Sequence, residues 1–213
     1  MKDSVDGLLV IVLLSTFFVL GTSRLRAVIN ATAFQGVILG ILAILVHHEM
    51  TAQTIIICAG AALIKGLVIP MLLLRAMRDV AVRREIEPFI GYVTSLLLGA
   101  LATGLAILFA GTLPLAKEHV GSLLIPASLS TVLTGFIVLT TRLKAITQVA
   151  GYLILENGIF IMGLTLVEAL PFLVEVGVLL DLVVGIFIMG IMIYQINREF
   201  ASLDTVRLSQ LKE

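Results

Sequence analysis

Four ionisable side chains stand where lipid would be expected to surround them. Asp181 lies in the middle of the run Val174-Glu175-Val176-Gly177-Val178-Leu179-Leu180-Asp181-Leu182-Val183-Val184-Gly185, Glu156 and Lys65 lie within two other apolar runs, and Glu175 sits at the start of the last one. A charge at the centre of a bilayer is costly, so such residues usually pair with one another or mark a path for protons or ions. A carboxylate that burial disfavours and a nearby ammonium favours can exchange protons near neutral pH, which is what a relay station requires.

The elements that must hold these groups follow from composition. With 60% hydrophobic and 13% charged residues among 213, the chain lies outside the soluble globular range and reads as an all-α integral membrane protein. Equal numbers of basic and acidic side chains, 14 and 14, leave no global field that would attract nucleic acid. The single cysteine, Cys58, excludes an internal disulfide and offers no cluster for iron–sulfur ligation, so any redox cofactor is expected on another chain.

A helix needs about 20 residues to cross roughly 30 Å of hydrocarbon. By that measure the chain holds about seven spans, at approximately 4–22, 27–46, 52–74, 89–110, 121–140, 146–168 and 172–194. The first lacks a signal-peptide cleavage pattern and reads as a retained helix. Between Arg75 and Pro88 the sequence is too charged to enter lipid. Every second connection is basic: Arg24 and Arg26, the Arg75–Arg84 stretch, Arg142 and Lys144, then Arg198, Arg207 and Lys212. The positive-inside rule therefore predicts an outside N-terminus and a cytoplasmic C-terminus, and a multi-pass protein of the cell inner membrane is expected.

At a rise of about 1.5 Å per residue, Lys65 and Glu156 come to lie about 15 Å deep and Asp181 about 20 Å deep, so the three share a central layer. Glu175 is nearer the outer surface, where it could instead favour a helix N-terminus. Gln148, Asn157, Gln35 and Asn30 add polar points in the second and sixth spans. Lys65 could simply neutralise Glu156 or Asp181 as a packing pair, a role compatible with proton relay.

Other chemistry is excluded or weak. The chain has no HExxH, no G-x-S-x-G, no phosphate-cradling glycine loop and no protease-like aspartate pair. Without a lysine in the last span and with no Trp, it is not a retinal protein. His47-His48-Glu49 resembles a metal cluster, but adjacent histidines project to different sides, so a solvated turn is the better reading and no metal site is expected. Gly99 with Ala102, Gly158 with Gly163, and Gly177 with Gly185 read as helix-packing contacts.

From about residue 121 onward the chain resembles the small three-helix subunit of respiratory complex I, the chain 4L or subunit K type, which is also found in multisubunit cation/proton antiporters. The resemblance rests on Ile154-Leu155-Glu156-Asn157-Gly158, on Asp181 followed by Gly185, and on the tail Leu203-Asp204-Thr205-Val206. Aligned on Asn157, the family's first intramembrane Glu falls on Leu153; Glu156 stands one turn further along on nearly the same face, and Asp181 takes the place of the second Glu.

Four helices ahead of such a module make the chain similar to the hydrogenase-4 component E group of group 4 hydrogenases and formate hydrogenlyases. The resemblance implies a four-helix extension over 1–110 and a subunit K-like module over 111–213. It further implies a proton-conducting or coupling subunit with no active site or cofactor of its own, packed against antiporter-like subunits and the membrane arm of a nickel-iron hydrogenase. Glu156 and Asp181 would be stations of a lateral path; Lys65 lies in the extension, which the three-helix subunit lacks, and on depth alone is expected as a counter-ion or third station, with Glu175 a further candidate. The competing expectations are a structural scaffold of the membrane arm, whose charges are packing pairs, a subunit of a multisubunit antiporter, and a free-standing transporter. The last would want two inverted halves, and no such repeat is evident.

Overall fold

The computed structural model describes residues 2–46, 59–79, 89–113, 122–143 and 145–165. The last expected span, and with it Glu175, Asp181, Gly177, Gly185 and the Leu203–Val206 tail, lies outside these residues, as do His47, His48, Glu49 and Cys58. Among the described residues the chain is helical with no strand. It forms α1 (Lys2–Gly21), α2 (Leu25–Val46), α3 (59–79), α4 (Tyr92–Ala110), α5 (Leu124–Thr141) and α6 (Ala145–Leu164). Five of these, all but α3, are long and apolar enough among the described residues to cross a membrane.

Helix ends follow local chemistry. The connection Thr22-Ser23-Arg24 is tightened by a hydrogen bond from the Arg24 N–H to Thr22 Oγ1 at 3.3 Å. Pro126 is tolerated because it falls in the first turn of α5, where a backbone N–H has no helical acceptor. Helix α3 does not end at residue 74; it runs on through Arg75 to Asp79. Charged residues have no difficulty in a helix once it leaves lipid, and Arg and Met are good helix formers.

Within α3 the residues Ile64–Val68 form a π-helical turn, closed by the Ile69 N–H donating to Ile64 O. Pro70 gives the reason. It supplies no N–H, and its ring would press on the carbonyl four residues back, at Gly66, so a widened turn relieves the clash.

Helices α1, α2, α5 and α6 make the centre of the bundle, with α3 laid on α2 and α4 against α1 and α5. Helices α1 and α5 run parallel, since their ends meet on both sides: Asp6 Oδ1 accepts the Leu123 N–H at 3.1 Å, and Arg142 reaches Leu20 O. Helix α4 turns its leucines outward at Leu97, Leu101, Leu105 and Leu108, and its small residues Gly99, Ala102 and Ala106 inward.

Apolar burial between membrane helices gains little over lipid, so close backbone approach matters more. Helices α5 and α6 interlock at glycines. A Cβ on Gly135 would run into the backbone of Leu155, one on Gly151 would stand 2.6 Å from Leu139 N, and one on Gly158 would stand 2.6 Å from Val132 N. Of the expected glycine contacts, Gly99 meets Leu20 and Gly158 meets Val132, whereas Gly163 meets nothing within 4 Å among the described residues. Being five positions from Gly158, Gly163 points away from α5.

Candidate functional site

Two apolar clusters occupy opposite ends of the bundle. One joins Leu9, Val12, Ile38, Leu39, Leu42, Ala127 and Ile161; the other joins Val19, Leu20, Val28, Val138, Ala150 and Ile154. Between them each central helix places buried polar residues at the same level: Ser15 and Thr16 on α1, Thr32 and Gln35 on α2, Ser128, Thr131 and Thr134 on α5, Glu156 and Asn157 on α6. A polar belt thus crosses the middle of the core between the two apolar clusters.

Most of the belt's hydroxyls are satisfied within their own helices. Thr16 donates to Leu13 O, Thr32 to Val28 O, Ser128 to Ile125 O and Thr131 to Ala127 O, each at 2.6–3.0 Å. Such back-bonding hides a hydroxyl without tying helices together. The amides behave differently. Asn157 Nδ2 donates to Gln35 Oε1 at 3.4 Å, and Gln35 Nε2 donates to Val12 O at 3.3 Å, so one chain of bonds links α6, α2 and α1.

Beside this chain lies an ion pair. Lys65 Nζ stands 2.8 Å from Glu156 Oε1, with side-chain exposures of 11% and 4%. The ammonium also sits 5.2 Å from the centre of the Phe160 ring, one turn along α6, where the negative face of the ring favours a cation. Lys65 is carried on the π-turn of α3, which rests against α2 at Gly36. The expected common depth of Lys65 and Glu156 therefore becomes a direct contact. Leu153 joins Leu25 and Ile29 of α2 and Leu73 of α3 in one apolar cluster, so it meets α3, as Glu156 does through Lys65.

The remaining polar points separate. Asn30 is exposed and takes no place in the belt. Gln148 donates to Arg142 O at 3.0 Å, near the bundle end. Arg142 itself, expected in a basic connection, is 2% exposed. Its Nη2 donates to Leu20 O at 3.0 Å, one of the carbonyls left over at the end of α1, and its guanidinium lies 5.1 Å from the centre of the Tyr92 ring at the start of α4. Nothing in the sequence separates this arginine from its solvated neighbours, because what buries it is the distant approach of α1 and α4. Arg142→Ala is expected to destabilise the protein by about 2–3 kcal/mol, the worth of a charged hydrogen bond plus a ring contact. Thermal unfolding in mild detergent checks this, and Arg142→Lys is expected to recover only part, since an ammonium lacks the planar fork.

Among the described residues no group of three or more His, Cys, Asp or Glu could hold a metal ion. The belt and the pair bring polar and charged side chains of α1, α2, α3, α5 and α6 together inside the bundle.

Apolar helices of spanning length, packed around a polar belt with a buried ion pair, define a multi-pass helical membrane protein. No family model matches the chain, and no solved structure does. The chain is 32% identical over 204 residues to the uncharacterized protein Rv0085 of Mycobacterium tuberculosis, covering 94% of this chain and 92% of the relative, and it belongs to the same family as that protein. It is more distantly similar to hydrogenase-4 component E of Escherichia coli K12 and of Shigella flexneri, at 26% identity over 212 residues, with 98% of this chain and 97% of each relative covered.

Proposed function

We propose that this chain is a non-catalytic membrane subunit of a proton-translocating complex of the group 4 hydrogenase or formate hydrogenlyase type, and that Glu156, Asp181, Lys65 and Glu175 contribute to its proton path. The observation that carries the path is the Lys65–Glu156 pair, a titratable contact held within the polar belt. The hydrogenase assignment draws on the end-to-end similarity to hydrogenase-4 component E. In this reading the chain crosses a cell inner membrane seven times with its C-terminus in the cytoplasm. Residues 111–213 form the subunit K-like module, and antiporter-like and nickel-iron membrane-arm subunits are the partners.

The chemistry asked of the residues is simple. A proton arriving at Glu156 neutralises the carboxylate and leaves the Lys65 ammonium without its counter-charge. In a low-dielectric layer that excess charge acts strongly on neighbouring ionisable groups, which gives a partner subunit something to respond to. Asp181 is the next station proposed along the path.

The scaffold reading also has an observation in its favour, because the pair is close enough to serve packing alone. The two part company in one experiment. Pull-down from mildly solubilised membranes identifies the co-purifying chains, and H₂-linked proton movement into vesicles is measured for wild type and Asp181→Asn. The path reading expects nickel-iron and antiporter-like chains in the pull-down and an intact mutant complex whose proton movement falls to a small fraction of wild type. An Asp181→Asn complex that assembles and pumps normally removes Asp181 from the path. A chain that purifies alone points to a solitary transporter.

A further inference from the structure

Adjacent residues of α2 meet one half of the ion pair and the neighbour of the other. Gln35 accepts the hydrogen bond from Asn157, the neighbour of Glu156 on α6, at 3.4 Å. Gly36 receives the backbone of Lys65: a Cβ there would stand 2.8 Å from Lys65 Cβ and 2.9 Å from its carbonyl carbon. The contact is reciprocal, since a Cβ on Gly66 would stand 2.6 Å from Val37 Cγ2. Both members of the pair are thus referenced to a single turn of α2, while α2 contributes no charge to it.

The amide bond matters because helix α6 must be set in rotation as well as in depth. Successive residues on a helix differ by about 100° in direction, so fixing Asn157 toward α2 fixes where Glu156 points. Gln35 is in turn held by its own bond to Val12 O, and it is fully buried. Unlike the belt's back-bonding hydroxyls, this chain of bonds has no partner within its own helices, and its loss would leave amides unsatisfied in an apolar core.

From these contacts we infer that Gln35 is a positioning residue for the proton path: through Asn157 it sets the rotation of α6 that holds Glu156 against Lys65. The inference rests on the reading of Glu156 as a path station, and the test separates the two. Proximity is read first, without activity. In a chain carrying Cys58→Ser, Lys65→Cys and Glu156→Cys, a short thiol-to-thiol linker is added to membranes and the linked peptides are quantified by mass spectrometry. Adding Gln35→Leu is expected to lower linkage several-fold at equal chain abundance; unchanged linkage would overturn the inference.

Proton movement per assembled complex is then measured for Gln35→Leu, Glu156→Gln and their combination. Gln35→Leu is expected to lower it several-fold in the native background and to have no further effect beside Glu156→Gln, as residues acting through one group are not additive. Equal effects of Gln35→Leu in both backgrounds would overturn the inference. Where Gln35→Leu fails to accumulate, the exchange Gln35→Asn with Asn157→Gln keeps the bridge's total length, and it is expected to restore proton movement that Gln35→Asn alone reduces. An exchange no better than that single change counts against the inference. A Glu156→Gln complex that pumps normally defeats the path reading, while the linkage result still decides whether Gln35 positions the pair.

Discussion

Lys65→Met lowers the stability of the purified protein by about 3–5 kcal/mol, the usual cost of removing one partner from a buried ion pair and leaving the other charge behind. The geometry makes the loss specific: Glu156 is 4% exposed and Lys65 stands 2.8 Å from it. The double variant Lys65→Met with Glu156→Leu removes both charges, and replacing a buried pair by apolar residues of similar size is often neutral or stabilising. It is therefore expected to regain most of the lost stability in thermal unfolding. Its proton movement separates the two readings of the site. A path station lost stays lost, so the double variant assembles but does not pump; a packing pair replaced by packing restores assembly and turnover together.

Gly135→Val has the second large effect expected. A side chain at this position meets the backbone of α6 at Leu155, with Leu155 Cα 2.6 Å from the new Cβ, and backbone cannot move aside as a flexible side chain can. Helices α5 and α6 would be forced apart along the seam that Gly151 and Gly158 also form. The loss is expected to be at or above the range of about 1–3 kcal/mol typical of overpacking. Chain abundance in membranes should fall accordingly. Gly104→Ala is the matched control. Among the described residues nothing lies within 4 Å of its new Cβ, so it should be neutral or gain about 0.5–1 kcal/mol from helix propensity. An equal loss at both positions would show that the seam is not what holds the two helices.

What could be read from the sequence was position along the membrane normal. A fixed rise per residue put Lys65 and Glu156 at one depth, and they meet. Direction around the helix was far less legible. Asn30 and Gln35, five residues apart on one helix, point to different sides, but the sequence does not say which side is the core, because lipid and core are equally apolar; Gln35 is buried in the belt and Asn30 is exposed. Arg142 looked like its basic neighbours and is buried by helices far away in sequence. The glycines of the α5–α6 seam were only partly singled out: Gly158 was expected to pack, while Gly135 and Gly151 were not. The π-turn was not expected either, although Pro70 supplies its cause.

That widened turn makes chain length part of the site. A π-turn accommodates one residue more than the α-helical path it replaces, so the two halves of α3 are offset by about 100° relative to an uninterrupted helix. Deleting a single residue between Lys65 and Pro70 would therefore leave every other functional side chain in the chain and still turn the lysine's half of α3 away from its present bearing. In this family a relative can keep the lysine, the glutamate and the glycines and yet lack the pair. The spacing between Lys65 and Pro70, rather than residue identity alone, is what to count when asking whether another member builds the same centre.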